Sequence, residues 1–172
     1  MSPRAVLVGL PGAGKSTTGR RLAKRLGVAF ADSDDLVESR AGQTVSEIFA
    51  TAGEPAFRAA ERAAIVAALG GFDGVLALGG GAILADSTRA ALAEAGVPVV
   101  LLSANVATLA ERLGPAEDRP LLAGDVSARL AELAAARESL YRGVATLVID
   151  TGALTTNEVA IAIERMLAAV PR

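Results

Sequence analysis

Five short apolar runs punctuate the chain, at residues 5–8, 28–31, 75–78, 99–102 and 146–149, and alanine-rich stretches with interspersed charge separate them. Runs this short, with no alternating polar face, predict strands buried on both sides, as in a parallel sheet covered by helices. The first helix is expected over residues 15–26, closed by Gly27, and the last opens at Thr155, whose spacing to Glu158 makes a capping box. Thr44 and Glu47 make a second such box. The pattern predicts an α/β fold of three layers, α/β/α, around a five-stranded parallel sheet, in a single domain over residues 1–172. Two segments stand apart from the alternation. Residues 34–68 read as a helical insertion placed to hold a substrate. Residues 114–124 form a polar loop with Pro and Gly, expected to be a lid, since long connections in compact domains usually serve function.

Composition narrows the chemistry. The net charge of -2 gives no electrostatic reason to expect nucleic acid or a membrane surface as a partner, so small molecules are expected instead. Neither cysteine nor histidine occurs, which excludes disulfides, thiolate metal sites and a histidine base, and leaves Asp or Glu for any acid or base. The apolar excess is largely alanine, and no uninterrupted apolar stretch approaches the ~18 residues of a membrane span. The amino terminus passes within a few residues into the first strand, leaving no room for a secretion signal. The expectation is a cytoplasmic monomer.

The segment Gly9-Leu10-Pro11-Gly12-Ala13-Gly14-Lys15-Ser16-Thr17 fits the phosphate-binding pattern G-x-x-x-x-G-K-[ST] between a strand and a helix. Backbone N–H groups can wrap polyphosphate oxygens only where side chains stay clear, which explains Gly12 and Gly14, and Ala13 and Thr17 complete the loop. Lys15 places a charge between the β- and γ-phosphates, and the Ser16 hydroxyl is a hard oxygen suited to Mg²⁺. A nucleoside triphosphate such as ATP, with Mg²⁺, is therefore expected.

Other candidates follow strand ends, where ligands collect in open parallel sheets. Asp32 and Asp34 follow the second strand; they either cap the next helix or face the γ-phosphate, Asp32 as a magnesium partner and Asp34 as acceptor for a substrate hydroxyl. No aspartate ends the third strand, so another group must help hold the ion. Gly79, Gly80 and Gly81 there either make a turn or offer bare N–H groups to a substrate. Arg58 and Glu61, one helical turn apart, are either a surface ion pair or a guanidinium aimed at a ligand carboxylate. Arg119 lies in the expected lid, Arg112 before it and Arg137 after it; each is either a surface charge or a partner of phosphate, adenine or substrate.

Taken together, Gly9 to Ser16, Asp32-Ser33-Asp34, Phe57-Arg58 with Glu61, Gly79-Gly80-Gly81, Arg119-Pro120-Leu121-Leu122, and Arg137 followed by Leu140-Tyr141 resemble the shikimate kinase family over essentially the whole chain. The resemblance implies a strand order of 2-3-1-4-5 and phosphoryl transfer from ATP to the 3-hydroxyl of shikimate. It also implies that Asp34 binds the acceptor hydroxyl, Arg58 and Arg137 the carboxylate, and Gly80 another hydroxyl. Arg119 is implied at the phosphates, Arg112 on adenine, and Asp32 beside Ser16 at magnesium. Lys15, Asp34 and Arg119 would then be catalytic. With an ordinary pKa near ~3.9, Asp34 would mainly orient the hydroxyl. One departure stands out. Relatives often carry an arginine after the fifth strand, whereas Thr151-Gly152-Ala153-Leu154 has none, so weaker or less base-selective nucleotide binding is expected. The alternatives are a kinase of another hydroxy acid such as gluconate, or a non-catalytic nucleotide-binding regulator.

Overall fold

The computed structural model describes residues 1–114 and 125–169. Its strands are β1 (Ala5–Val8), β2 (Ala29–Asp32), β3 (Gly74–Ala77), β4 (Val99–Ser103) and β5 (Leu147–Asp150). All pair in parallel, in the order β2-β3-β1-β4-β5. Burial alternates along the central strand. Ala5 and Leu7 pack on one face with Leu22, Leu109, Leu130 and Ile163, and Val6 and Val8 on the other with Ile65, Leu69, Ile83 and Leu92. Two faces covered by apolar side chains make the three-layer arrangement that near-continuous apolar strands require.

Helix α1 (Lys15–Leu26) has the bounds read from the sequence, because Gly14 and Gly27 both take the left-handed conformation at its ends. Strands β2, β3 and β5 lie one residue away from the apolar runs. Pairing continues to the polar residues Asp32, opposite Ala77, and Asp150, opposite Ser103, while the side chain of Thr146 bonds the N–H and carbonyl of Val99. Apolar runs track burial, whereas the ladder follows backbone hydrogen bonds.

Between β2 and β3 run α2 (Ser33–Ala41) and α3 (Val45–Gly71), with a small core of Val37, Ile48, Phe57 and Ala64. Both bonds of the Thr44/Glu47 capping box are present. Inside α3, Gly53 sits at φ 81, ψ 173, and Pro55 begins the straight segment that follows. A side chain at that φ is strained, and proline suits the first turn of a helix, so the two residues together account for the kink. The remaining helices are α4 (Asp86–Ala95), preceded by a 3₁₀ turn at Ala82–Leu84, then α5 (Val106–Leu113), α6 (Val126–Val144) and α7 (Thr156–Ala169). The Thr155/Glu158 box opens α7 as its spacing foretells. The expected lid, 114–124, lies outside the described residues apart from Gly114.

Ile65, fully buried, anchors α3 to the sheet. Replacing it with alanine is expected to cost about 2–5 kcal/mol. Urea unfolding should then show a lower midpoint with an unchanged slope.

Candidate active site

The loop after β1 turns directly into α1 with Gly12 and Gly14 at φ 83 and 85. No side chain caps α1, so its first N–H groups and the positive end of its dipole are open to an anion. Lys15 Nζ donates to the carbonyls of Gly9 (2.8 Å) and Leu10 (3.2 Å). Burial lowers its pKa to about 8, helped by Arg137 and opposed by Asp32 and Asp34. Gly12, Ala13, Gly14, Lys15, Ser16 and Thr17 all line one cavity of about 620 Å³.

Ser16 Oγ donates to Asp32 Oδ2 at 2.7 Å, and Asp32 Oδ1 accepts the backbone N–H of Asp34 at 3.1 Å. Asp32 is therefore both a helix cap and a partner of the phosphate loop. Two hard oxygens side by side at the phosphate end fit Mg²⁺, which takes few protein ligands and keeps several waters.

Asp34, one residue into α2, lies close to the end of β3. Burial raises its pKa, Asp32 adds to the rise, and Arg58 opposes it. The expectation of an ordinary aspartate is thus corrected: this carboxylate is a better proton acceptor than its type suggests.

The three glycines after β3 are the meeting point of the site. None has a positive φ; at Gly79 and Gly81 the reason for glycine is space, while Gly80 has room for a Cβ. A Cβ on Gly79 would stand 2.8 Å from Glu61 Oε1 and 3.1 Å from Asp34 Oδ1. On Gly80 it would lie 3.4 Å from Arg137 Nη1 and from the Tyr141 hydroxyl, and on Gly81 only 2.4 Å from Arg58 Nη2. Not every amide there is bare, as the sequence reading expected. Gly79 N–H donates to Ser33 Oγ at 2.8 Å, and Gly80 C=O accepts the Tyr141 hydroxyl at 2.6 Å.

Arg58 Nη1 donates to Glu61 Oε2 at 2.7 Å, and Glu61 is 2% exposed. Of the two readings of this pair, the surface one fails. The helix buries the carboxylate, and the carboxylate holds the guanidinium over Gly81. Glu61 Oε1 is buried without a hydrogen-bond partner. Burial is the largest influence on its pKa and raises it, Arg58 opposes, and Asp34 and Asp32 add to the rise. Arg137, buried on α6, approaches Gly80. Two guanidiniums thus converge on one strip of backbone beside Asp34, a pattern that suits a small anionic polyol.

Arg112 donates from Nη1 to Thr151 Oγ1 (2.9 Å) and from Nη2 to the Thr151 carbonyl (2.6 Å), and both residues line the nucleotide-sized cavity with Leu154. Arg119 lies outside the described residues. Sequence reasoning missed the structural parts of Ser33 and Thr151. Ser33 was visible only as the residue between two aspartates, and nothing in the sequence marks Thr151 as the anchor of Arg112. Tyr141, the one tyrosine of the chain, was legible as part of a motif but not as the group that fixes Gly80.

Comparison with known proteins gives a consistent result. A family model described as shikimate kinase matches residues 11–168. A shikimate kinase of Thermobifida fusca is 50% identical over 97% of this chain and 96% of its own length. One from Saccharopolyspora erythraea is 55% identical over 88% of this chain and 86% of its own. Among solved structures, the shikimate kinase from Acinetobacter baumannii in complex with shikimate superposes with a TM-score of 0.90 at 35% identity, covering 98% of this chain and 94% of the other.

The buried carboxylate at position 61 makes a pH-dependent contribution. Its native pKa lies above its ordinary 4.5. Between those two values the native state holds a proton that the unfolded chain has released, so stability falls as pH rises through that window. Glu61→Gln removes this dependence. The Tm of the variant minus that of the wild type is expected to grow as pH rises from 4.5 and then level off; a flat or falling difference would contradict burial as the dominant influence.

Proposed function

The chain belongs to the shikimate kinase family, and from that premise we propose how its residues divide the work. The reaction moves the γ-phosphoryl group of ATP to the 3-hydroxyl of shikimate and gives shikimate 3-phosphate and ADP, a step toward the aromatic amino acids. The observation that carries the assignment of roles is the convergence of Arg58 and Arg137 on Gly80 and Gly81 beside Asp34.

In this reading the two guanidiniums bind the shikimate carboxylate, Arg58 held in place by Glu61 and Arg137 lying beside Tyr141. Gly79, Gly80 and Gly81 let the ring approach the backbone, with the Gly80 peptide held by the Tyr141 hydroxyl. Asp34 accepts a hydrogen bond from the reacting hydroxyl and fixes its direction. As the oxygen bonds to phosphorus its proton becomes acidic, and Asp34, made more basic by burial, receives it. The bond from the γ-phosphorus to the bridging oxygen breaks at the same time, and ADP leaves.

The phosphate loop wraps the polyphosphate with its N–H groups, Lys15 neutralises charge at the transferring group, and Thr17 lies in the same cavity. Ser16 and Asp32 are the residues that would hold Mg²⁺, which would neutralise phosphate charge when bound. Arg112 flanks the adenine. Arg119, assigned by position in the sequence alone, is proposed to reach the phosphates from the lid at 114–124. The division into a substrate-binding insertion and a lid within one domain belongs to the same proposal. So does action as a monomer in the cytoplasm, away from nucleic acid and membranes. No described helix is long and apolar enough to cross a membrane.

Release of ADP from Mg²⁺-ATP, compared for shikimate, gluconate, a nucleoside monophosphate and no acceptor, tests the reading. Turnover with shikimate alone is expected; turnover with gluconate alone would overturn the carboxylate-site roles. Asp34→Asn should lose about 10²–10⁴ in kcat while ATP binding survives. Arg58→Ala should chiefly raise the shikimate KM and Arg119→Ala chiefly lower kcat, and an Arg58→Ala enzyme with unchanged KM would remove Arg58 from the carboxylate.

A further inference from the structure

We infer that Thr151 is a positioning residue of the nucleotide site, holding the Arg112 guanidinium in the orientation in which it meets the base. This rests on reading the cavity at the phosphate loop as the nucleotide site, with Arg112 at adenine, and deepens that reading.

Arg112 is exposed on the last turn of α5. An exposed arginine ordinarily samples many rotamers, and ordering it only when a ligand arrives subtracts from affinity. Here the ordering is already done. Thr151, the first residue after β5, is 2% exposed and fastened to the end of β4. Its N–H donates to the Ser103 carbonyl at 2.8 Å, and its hydroxyl donates to the same carbonyl at 3.2 Å. A hydroxyl has one proton, so with that proton on Ser103 the Thr151 Oγ1 faces Arg112 as an acceptor. It takes Nη1 at 2.9 Å, and the Thr151 carbonyl takes Nη2 at 2.6 Å.

Two acceptors on one buried residue thus meet two donors of one planar group, the forked geometry that fixes a guanidinium most firmly. These bonds lie in the guanidinium plane, so Thr151 holds the edge and leaves the flat faces clear. Both residues line the cavity of about 620 Å³ that begins at the phosphate loop. A flat cation held there stacks on the face of a base. The phosphate end is built separately, from the loop amides and from Lys15, which the Gly9 and Leu10 carbonyls hold. Losing the Thr151 hydroxyl should therefore weaken ligands that carry a base and spare those that do not.

The test is titration calorimetry of ADP and of inorganic tripolyphosphate, each with Mg²⁺ and without acceptor, on Thr151→Ala and Thr151→Ser. Serine keeps the hydroxyl and alanine removes it, so their difference isolates that group. ADP is expected to bind Thr151→Ala roughly 2- to 10-fold more weakly than Thr151→Ser, and tripolyphosphate to bind both alike. Equal losses for the two ligands would make Thr151 a prop of the whole cavity and overturn the inference. In an Arg112→Ala background, Thr151→Ala should weaken ADP no further, because nothing is left to hold; additive losses would also overturn it. Arg112→Ala alone separates the inference from the reading beneath it. If that variant binds ADP like the wild type, the arginine is not at adenine and both fall. If it binds ADP more weakly while Thr151→Ala matches Thr151→Ser, only the role of Thr151 falls. Should Thr151→Ala not fold, Thr151→Val keeps the shape of the buried side chain without its hydroxyl and carries the same expectation.

Discussion

The strip Gly79-Gly80-Gly81 after β3 is where the site's charged groups meet, and at Gly79 and Gly81 they approach too closely to leave room for a side chain. The backbone angles of the three glycines are ordinary, so another residue type could adopt them. The space around them is already filled by the working groups of three helices. Asp34 comes from α2, Arg58 and Glu61 from α3, and Arg137 and Tyr141 from α6. The sheet supplies the rest of the geometry. Because β3 pairs directly with β1, the glycine strip and the phosphate loop leave adjacent strands, and Pro11 of the loop lies 3.6 Å from where a Cβ on Gly80 would be. Donor and acceptor ends are thus brought together by one parallel pairing.

Crowding of charge is the second theme. Asp32, Asp34 and Glu61 face Lys15, Arg58 and Arg137 in a partly buried space, and several of these groups alter one another's proton affinity. A carboxylate in such a place costs stability unless a cation lies beside it. Glu61 has its cation in Arg58, while its second oxygen stays unpaired. Burial makes Asp34 more basic than an aspartate in water, and it makes Lys15 less basic than a free lysine although Asp32 and Asp34 oppose the change.

How much of this was legible in the sequence differs by residue. Apolar runs gave the strands to within a residue, and Gly27 and the two capping boxes gave helix ends, because these signals are local. The phosphate loop was legible because backbone chemistry demands its glycines in order. Arg58 and Glu61 were ambiguous, since an i,i+3 pair looks the same on a wet or a buried face; only packing decides, and it placed Glu61 inside. Ser33, the partner of Gly79, and Thr151, the partner of Arg112, could not be read. Their bonds join residues far apart in the chain, and serine and threonine have too many ordinary uses to signal one.

The strand order also bears on how the chain is made. The first strand to leave the ribosome is the central one, and its neighbours come late: Ala5 pairs with Val75, and Val6 with Val99. Synthesis at 5–20 residues per second leaves β1 without either partner for roughly 3–15 seconds. During that time β2 offers no help, since in the finished sheet it pairs with β3. The nascent segment must therefore carry its apolar strand unsheltered until nearly half of the protein exists. Its folding is then a late, collective closure, and a translational pause ahead of β3 would lengthen the period in which molecular chaperones and aggregation compete for the exposed strand.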